Sequence, residues 1–476
     1  MPRTEQFYID GQWVDPVGPD WHDMLDPATE LSIGRLAMGN ASDAGRAVSA
    51  ARAALPAWSH STPEERLTLL RRILAIYQRR QDEFAEAMRL EMGAPITFSR
   101  QAQAPRGVLH LKALIEVMER FDFERLQGGT LLRYEPVGVC GLIVPWNWPI
   151  NQIVVKVAPA LAAGCTMVLK PSEYSPLSSL LFAEVLDEAG VPPGVFNLAN
   201  GYGQTVGAAL SAHPDVDMVS FTGSTRAGIE VARSAAETVK RVAQELGGKS
   251  ANILLDDVDL EPAVQRGVAA CFTNSGQSCS IPTRLLVPAA MMEQAAEIAR
   301  QCAEAYVVGP TDDPATQLGP LVNRAQFERV RRLIVSGIEQ GARLVTGGAE
   351  LPPGIDRGFY VRPTVFADVS PHMTIAQEEI FGPVLSIIPY RDEAQAIAIA
   401  NGTPYGLAAY VQSADLGRAQ RVGRELRAGS VHLNYPPADF HAPFGGFKQS
   451  GNGREWGEHG LLEYLEVKSM VGYKPA

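Results

Sequence analysis

Residues 137–173 read VGVCGLIVPWNWPINQIVVKVAPALAAGCTMVLKPSE, and the architecture follows from the order of elements in them. Positions 137–144 are a nearly continuous apolar run of strand length. A strand with one face in water alternates apolar and polar residues, whereas one covered on both faces is apolar throughout. Residues 151–163 then carry an apolar helix pattern, and 166–170 a second short strand. The alternation continues with a helix over 176–189, a strand over 195–198, a helix over 203–211, a strand over 218–222 and a helix over 226–238. Strand and helix in strict turn predict an α/β fold, a parallel sheet with helices on both faces. Such sheets bind ligands beyond the carboxyl ends of their strands.

Upstream, 43–57, 64–93 and 107–119 read as amphipathic helices, and 130–135 alternates as a half-exposed strand does. Downstream comes a second α/β region, with strands at 252–255, 284–287 and 384–389 and helices at 291–307, 324–340 and 392–400. The lobe boundary is expected at Gly247-Gly248. The tail 464–473 reads as extended, pairing with 131–134 or with another subunit. A chain of 476 residues suits two large lobes.

The formal charge of −11, from 42 basic and 53 acidic residues, argues against nucleic acid as the main partner. No uncharged apolar run approaches the ~18 residues of a membrane span, and no apolar signal core opens the chain. Its five cysteines, Cys140, Cys165, Cys271, Cys279 and Cys302, include no Cys-x-x-Cys pair. They fit neither a disulfide framework nor a structural zinc site. A cytoplasmic protein without metal is expected.

Five stretches can carry chemistry. Cys279 lies in a polar, small-residue segment, whereas the other cysteines have apolar or helical surroundings; a thiol in such a setting can act as a nucleophile. Glu245 precedes two glycines and can serve as a general base if burial raises its pKa. Asn147 follows a buried strand, where its amide can donate to an oxyanion or cap the next helix. Phe221-Thr222-Gly223-Ser224-Thr225 ends a strand and opens a helix, a setting that suits a pyrophosphate although it is not the Gly-x-Gly-x-x-Gly fingerprint. Lys170 and Glu173 stand at another strand end, placed for ribose hydroxyls.

Taken together, these stretches resemble the aldehyde dehydrogenase superfamily over almost the whole chain. Glu378-Glu379-Ile380-Phe381-Gly382-Pro383-Val384, Pro443-Phe444-Gly445-Gly446-Phe447-Lys448 and Ser450-Gly451-Asn452-Gly453-Arg454-Glu455 extend the match. The resemblance implies that Cys279 attacks an aldehyde, that Asn147 and the Cys279 N–H hold the oxyanion, and that Glu245 activates the hydrolytic water. It also implies that Lys156 and Glu455 relay protons. For the cofactor it implies Trp146, Lys170, Ser172, Glu173, Gly203, Gly223, Ser224, Gly228, Leu246, Glu379 and Phe381. NAD is favoured over NADP, because the Glu173 carboxylate accepts from a free 2′-hydroxyl and repels a 2′-phosphate.

By the same resemblance, 1–117 and 137–247 form a Rossmann-like cofactor domain and 248–449 the catalytic domain. Residues 118–136 and 450–476 supply the oligomerisation strands and tail of a dimer or tetramer. Acylating relatives, which pass the thioester to coenzyme A, commonly lack the general-base glutamate, so hydrolysis is favoured. A non-catalytic binding protein on this scaffold is the remaining alternative. Trp148 and Ser280-Ile281-Pro282 depart from the family's commoner pattern, which is expected to reshape the substrate mouth. Aromatic and apolar residues there point to an uncharged aldehyde.

Overall fold

The computed structural model describes residues 2–18 and 20–474. The stretch quoted above folds as the strand Val139–Ile143, the helix Pro149–Ala163 and the strand Thr166–Lys170, and every residue of both strands is buried. Side chains leave a strand on alternate faces. Cys140 and Leu142 therefore enter a core shared with the helices Pro63–Met92, Pro105–Met118 and Pro176–Glu188. Val139 and Ile143 enter a second core against the helix Ala41–Trp58. The long helix Pro63–Met92 is bounded as its sequence dictates. Thr62 accepts from the Glu65 N–H, Glu65 accepts from the Thr62 N–H, and Gly93 closes the far end in the left-handed conformation.

Across the first sheet the strands run Phe196–Leu198, Thr166–Lys170, Val139–Ile143, Met218–Thr222 and Arg241–Glu245, all parallel. Winding proceeds outward from Val139–Ile143 in one direction and then resumes on its other side. The reversal between Val139–Ile143 and Met218–Thr222 opens a crevice at their carboxyl ends. Antiparallel strands close the edges: Phe7–Ile9 and Gln12–Val14 on one, Gly451–Asn452 on the other.

The second sheet is ordered Arg343–Thr346, Thr364–Ala367, Val384–Tyr390, Arg284–Pro288, Ala251–Leu254, Ala408–Gln412 and Ser430–Leu433, parallel except at the first pair. It too is covered on both faces, with Ile253 and Leu286 in one core and Leu254 and Leu285 in another. The tail pairs within its own chain: Leu465–Val471 lies antiparallel to Thr130–Pro136, with Val467 opposite Tyr134, and Glu124–Gln127 completes a three-stranded sheet. Among the described residues no helix is long and apolar enough to cross a membrane.

Two local expectations change. The segment 203–211 is a π-helical turn, Gly203–Gly207, feeding the short helix Ala208–Ala212. Arg241–Glu245 is a strand, which its sequence hides because only Val242 and Ala243 are apolar.

Candidate active site

The carboxyl end of Val139–Ile143 delivers Trp146 and Asn147, that of Met218–Thr222 delivers Gly223 and Ser224, and Arg241–Glu245 ends on Glu245 itself. All of them line one cleft of about 490 Å³, whose opposite wall carries Cys279, Glu379 and Phe381 from the second sheet's side. Cys279, Glu245 and Asn147, far apart in sequence, thus share one cavity.

Cys279 follows a strained turn. After the helix Leu260–Phe272 the chain passes through Asn274, Ser275 and Gly276 with φ of 57°, 54° and 74°. Left-handed backbone costs a non-glycine residue about 1–2 kcal/mol, so such a turn persists only where its surroundings hold it. Here Gln103 Nε2 donates to Asn274 Oδ1 (3.0 Å), and Asn274 Nδ2 donates to the carbonyls of Asn147 (2.8 Å) and Gln277 (3.0 Å). Ser275 Oγ donates to the Gly319 carbonyl (3.0 Å), and Gln277 Oε1 accepts from the Val322 N–H (2.9 Å). Asn147 Nδ2 donates to the Gln277 carbonyl (3.2 Å), which sets its amide against the backbone just before Cys279.

Gly276 is required twice over, since a Cβ would meet the Gly382 carbonyl at 2.1 Å on top of the positive φ. Gly276→Ala is expected to cost about 3 kcal/mol or more, read as a lower melting temperature together with lost thiol reactivity. A wild-type melt and wild-type thiol labelling would contradict it.

Burial pushes the Cys279 thiol up, and the carboxylates of Glu379 and Glu245 add to the effect. Glu245 is 5% exposed, and neither of its carboxyl oxygens has a hydrogen-bond partner among the described groups. Burial holds its pKa well above the carboxylate range and Glu455 raises it further, while Lys156 and Arg454 pull the other way. A buried carboxyl left unbonded is costly and uncommon, and a strongly perturbed acid in a cleft is a candidate for proton transfer. Glu379 accepts from the Gly248 N–H (3.0 Å), and burial pushes it up to about 7.

Lys156 and Glu455 stand behind Glu245, outside the main cleft. Lys156 Nζ donates to Glu455 (2.6 Å) and to Ser220 Oγ (2.9 Å). A cavity of about 10 Å³ joins them to Glu245, Glu463 and Tyr464, room for about one water.

Of the cofactor candidates, Trp146, Gly223, Ser224, Leu246, Glu379 and Phe381 line the cleft. Phe381 adopts φ 62° and meets the Trp146 ring edge-on at 5.4 Å. Ser224 caps the helix Thr225–Ala235, whose first turn leaves N–H groups free for an anion. Gly228 packs instead of facing the cleft, because a Cβ there would meet Leu246 Cδ2 at 2.7 Å. Lys170, Ser172, Glu173 and Gly203 lie beyond the cleft, near the neighbouring strand ends. Lys170 pairs with Glu173 at 3.6 Å, Ser172 Oγ accepts from the Tyr174 N–H, and the space over Gly203 is open. A helix start with free N–H groups, flanked by the Lys170–Glu173 pair, with Lys170 buried and Glu173 half-buried, and by the Glu379–Phe381 wall, has the chemistry to hold an elongated dinucleotide.

The sequence model of the aldehyde dehydrogenase family matches residues 13–470. The chain belongs to the aldehyde dehydrogenase family. It is an oxidoreductase of the EC 1.2.1 type. Over 475 residues, 100% of both chains, it is 52% identical to 3-succinoylsemialdehyde-pyridine dehydrogenase of a Pseudomonas species. Its fold is similar to that of aldehyde dehydrogenase C of Pseudomonas syringae, solved as a cysteine-to-alanine mutant with NAD+ and octanal. The TM-score is 0.98 at 53% identity, covering 99% of this chain and 98% of that one. An aldehyde dehydrogenase of Mycobacterium tuberculosis, solved with NAD+, gives 0.96 at 41% identity and 99% of each chain.

In this aldehyde dehydrogenase, sequence reading missed the residues that hold the turn before Cys279. Gln103 reaches it from the end of a π-helical turn, and nothing in its local sequence marks it. Asn274 falls in the polar segment that singled out Cys279, and three adjoining left-handed residues become visible only in the backbone.

Proposed function

We propose that this enzyme oxidises an aldehyde to its carboxylic acid, with Cys279 as nucleophile and Glu245 as general base. The observation that carries the reading is Glu245's buried, unbonded carboxyl, whose pKa burial raises, in the same cleft as Cys279. Cys279 passes its proton to water in the cleft, and its sulfur bonds to the aldehyde carbon as the carbonyl π pair moves onto the oxygen. The oxygen that becomes negative accepts from Asn147 Nδ2 and from the Cys279 N–H, donors fixed in place beforehand. NAD+, when bound, supplies the hydride acceptor, so that Cys279 is left carrying a thioester. Glu245 then takes one proton from water as the water oxygen attacks the thioester carbon, the C–S bond breaks, and the other water proton restores the Cys279 thiol as the product leaves as a carboxylate. Lys156 and Glu455 carry the proton away from Glu245.

Trp146, Gly223, Ser224, Leu246, Glu379 and Phe381 would hold the cofactor's phosphates and nicotinamide end, and Lys170, Ser172, Glu173 and Gly203 its adenosine end, favouring NAD. In this reading 1–117 and 137–247 bind cofactor, 248–449 carry the nucleophile, and 118–136 with 450–476 join subunits in a cytoplasmic homo-oligomer. Residues 475 and 476 lie outside the described ones. Leu126, Val467 and Val471, exposed on the three-stranded sheet, support an assembly surface there.

NADH absorbance, followed with a panel of aldehydes across pH, tests the chemistry. The base works only when ionised and its pKa is raised, so kcat is expected to climb with pH well above the ordinary carboxylate range. Lys156→Met removes a cation that favours the ionised form and should move the rise to higher pH. A rise near pH 4–5, the usual carboxylate range, or one that Lys156→Met leaves in place, would contradict the assignment.

A further inference from the structure

Arg106 is the second residue of the helix Pro105–Met118. Its guanidinium lies 4.4 Å from the centre of the Trp148 ring and 5.9 Å from that of Phe440. Trp148 is one residue from Asn147, and its Nε1 donates to Ser278 Oγ (2.8 Å), beside Cys279. The guanidinium is therefore separated from the nucleophile's turn by a single indole. Phe98 packs edge-on to Trp148 at 5.5 Å, and Phe440 stacks with Trp456, so the surrounding wall is aromatic.

Among the described residues no carboxylate forms an ion pair with this cation, whose Nε is buried without a hydrogen-bond partner, and burial pushes its pKa down. His110, on the same helix, is held neutral by burial, its pKa pushed down to about 3. Aromatic faces stabilise a guanidinium from above and below, but they leave its five in-plane N–H donors without acceptors. Arg284 is a buried arginine whose donors are met: it donates to the carbonyls of Lys249, Ile399 and Ala400 at 2.8–2.9 Å. Arg106 has no such set, yet part of the residue stays open to solvent. Its donors are thus within reach of an entering molecule.

We propose that Arg106 receives a hydrogen-bond acceptor, a carboxylate in its strongest form, at the end of the substrate remote from the aldehyde. The proposal rests on the oxidation reading above and narrows the substrate to aldehydes carrying such a group. It departs from the uncharged substrate that the aromatic residues of the mouth suggest on their own. A planar carboxylate matches the guanidinium fork through two parallel N–H···O bonds, while its chain lies along the Trp148 and Phe440 faces.

The test compares kcat/KM for 4-oxobutanoate, 5-oxopentanoate and 6-oxohexanoate with that for the alkyl aldehydes of equal length. Wild type, Arg106→Met and Arg106→Lys are measured side by side. The readout is the carboxylate-to-alkyl ratio, which a general loss of folding or of chemistry leaves unmoved. Wild type should favour the carboxylate in at least one pair. Arg106→Met should lower that ratio by about 100-fold, and Arg106→Lys should recover part of it, because an ammonium keeps the charge without the fork. A ratio unchanged in Arg106→Met, or a wild-type preference for the alkyl aldehyde at every length, overturns the proposal. Calorimetry of 5-oxopentanoate with Cys279→Ser, with and without Arg106→Met, separates this claim from the oxidation reading. Binding that needs Arg106 in an enzyme that oxidises no aldehyde would keep the anion site and sink the oxidation. Turnover of alkyl aldehydes without Arg106-dependent binding would do the reverse.

Discussion

Cys279→Ala is expected to lower kcat by about 10⁴-fold or more while the protein folds and binds NAD+ as before. Without a sulfur at this position no covalent intermediate forms, and no other thiol can substitute. Cys140, Cys165 and Cys271 are buried in the sheets' cores, and burial pushes the Cys271 thiol up to about 12. Cys302 lies on the helix Met292–Glu304, and none of the four lines the cleft. The alanine side chain removes one atom from a half-buried position, so the fold should be untouched. Steady-state NADH formation, with cofactor binding measured alongside, checks it. Turnover within tenfold of wild type would remove the nucleophile from the account.

Glu245→Gln carries the second large effect. Glutamine keeps the shape but accepts no proton, so kcat should fall by about 10²–10⁴-fold, the usual worth of a general base. The loss should fall on the second half of the reaction. Stopped-flow mixing with aldehyde and NAD+ should show a rapid burst of NADH approaching the enzyme concentration, followed by slow turnover. The burst carries the information. Burial lifts the Cys279 thiol too, so its proton needs an acceptor, taken to be water in the cleft. If Glu245 took that proton, the burst would slow along with the steady state. A missing burst would place Glu245 before the thioester instead of after it.

The first sheet's winding was legible because its strands are buried on both faces and so read as unbroken apolar runs. Thr166–Lys170 and Met218–Thr222 begin and end where the sequence places them. The strand bearing Glu245 was not legible. Arg241–Glu245 lies beside a two-residue antiparallel strand and is only partly covered, so its pattern is mixed. Strands of the second sheet such as Ala408–Gln412 and Ser430–Leu433 escaped for a related reason: short, with Tyr410 or His432 among the apolar residues, they are defined by partners distant in sequence.

At the site, residue types marked the candidate reacting groups but not their supports. A cysteine among small polar residues and a glutamate before two glycines announce themselves. Gln103, which braces the turn from more than a hundred residues away, does not. Arg106 was missed for another reason. On an amphipathic helix a single arginine reads as a solvated face, and only the packing of Trp148 and Phe440 around it shows that it is enclosed without a counter-charge.

The central claim is that a thioester forms on Cys279 and waits for Glu245. Glu245→Gln, mixed with NAD+ and an aldehyde that the wild type oxidises, then acid-quenched after the burst and digested, tests it most directly by mass spectrometry. The peptide containing Cys279 should gain the mass of the aldehyde less two hydrogen atoms, and the gain should disappear with hydroxylamine, which cleaves thioesters. NADH released with no adduct on that peptide, or an adduct on another residue, would contradict the account.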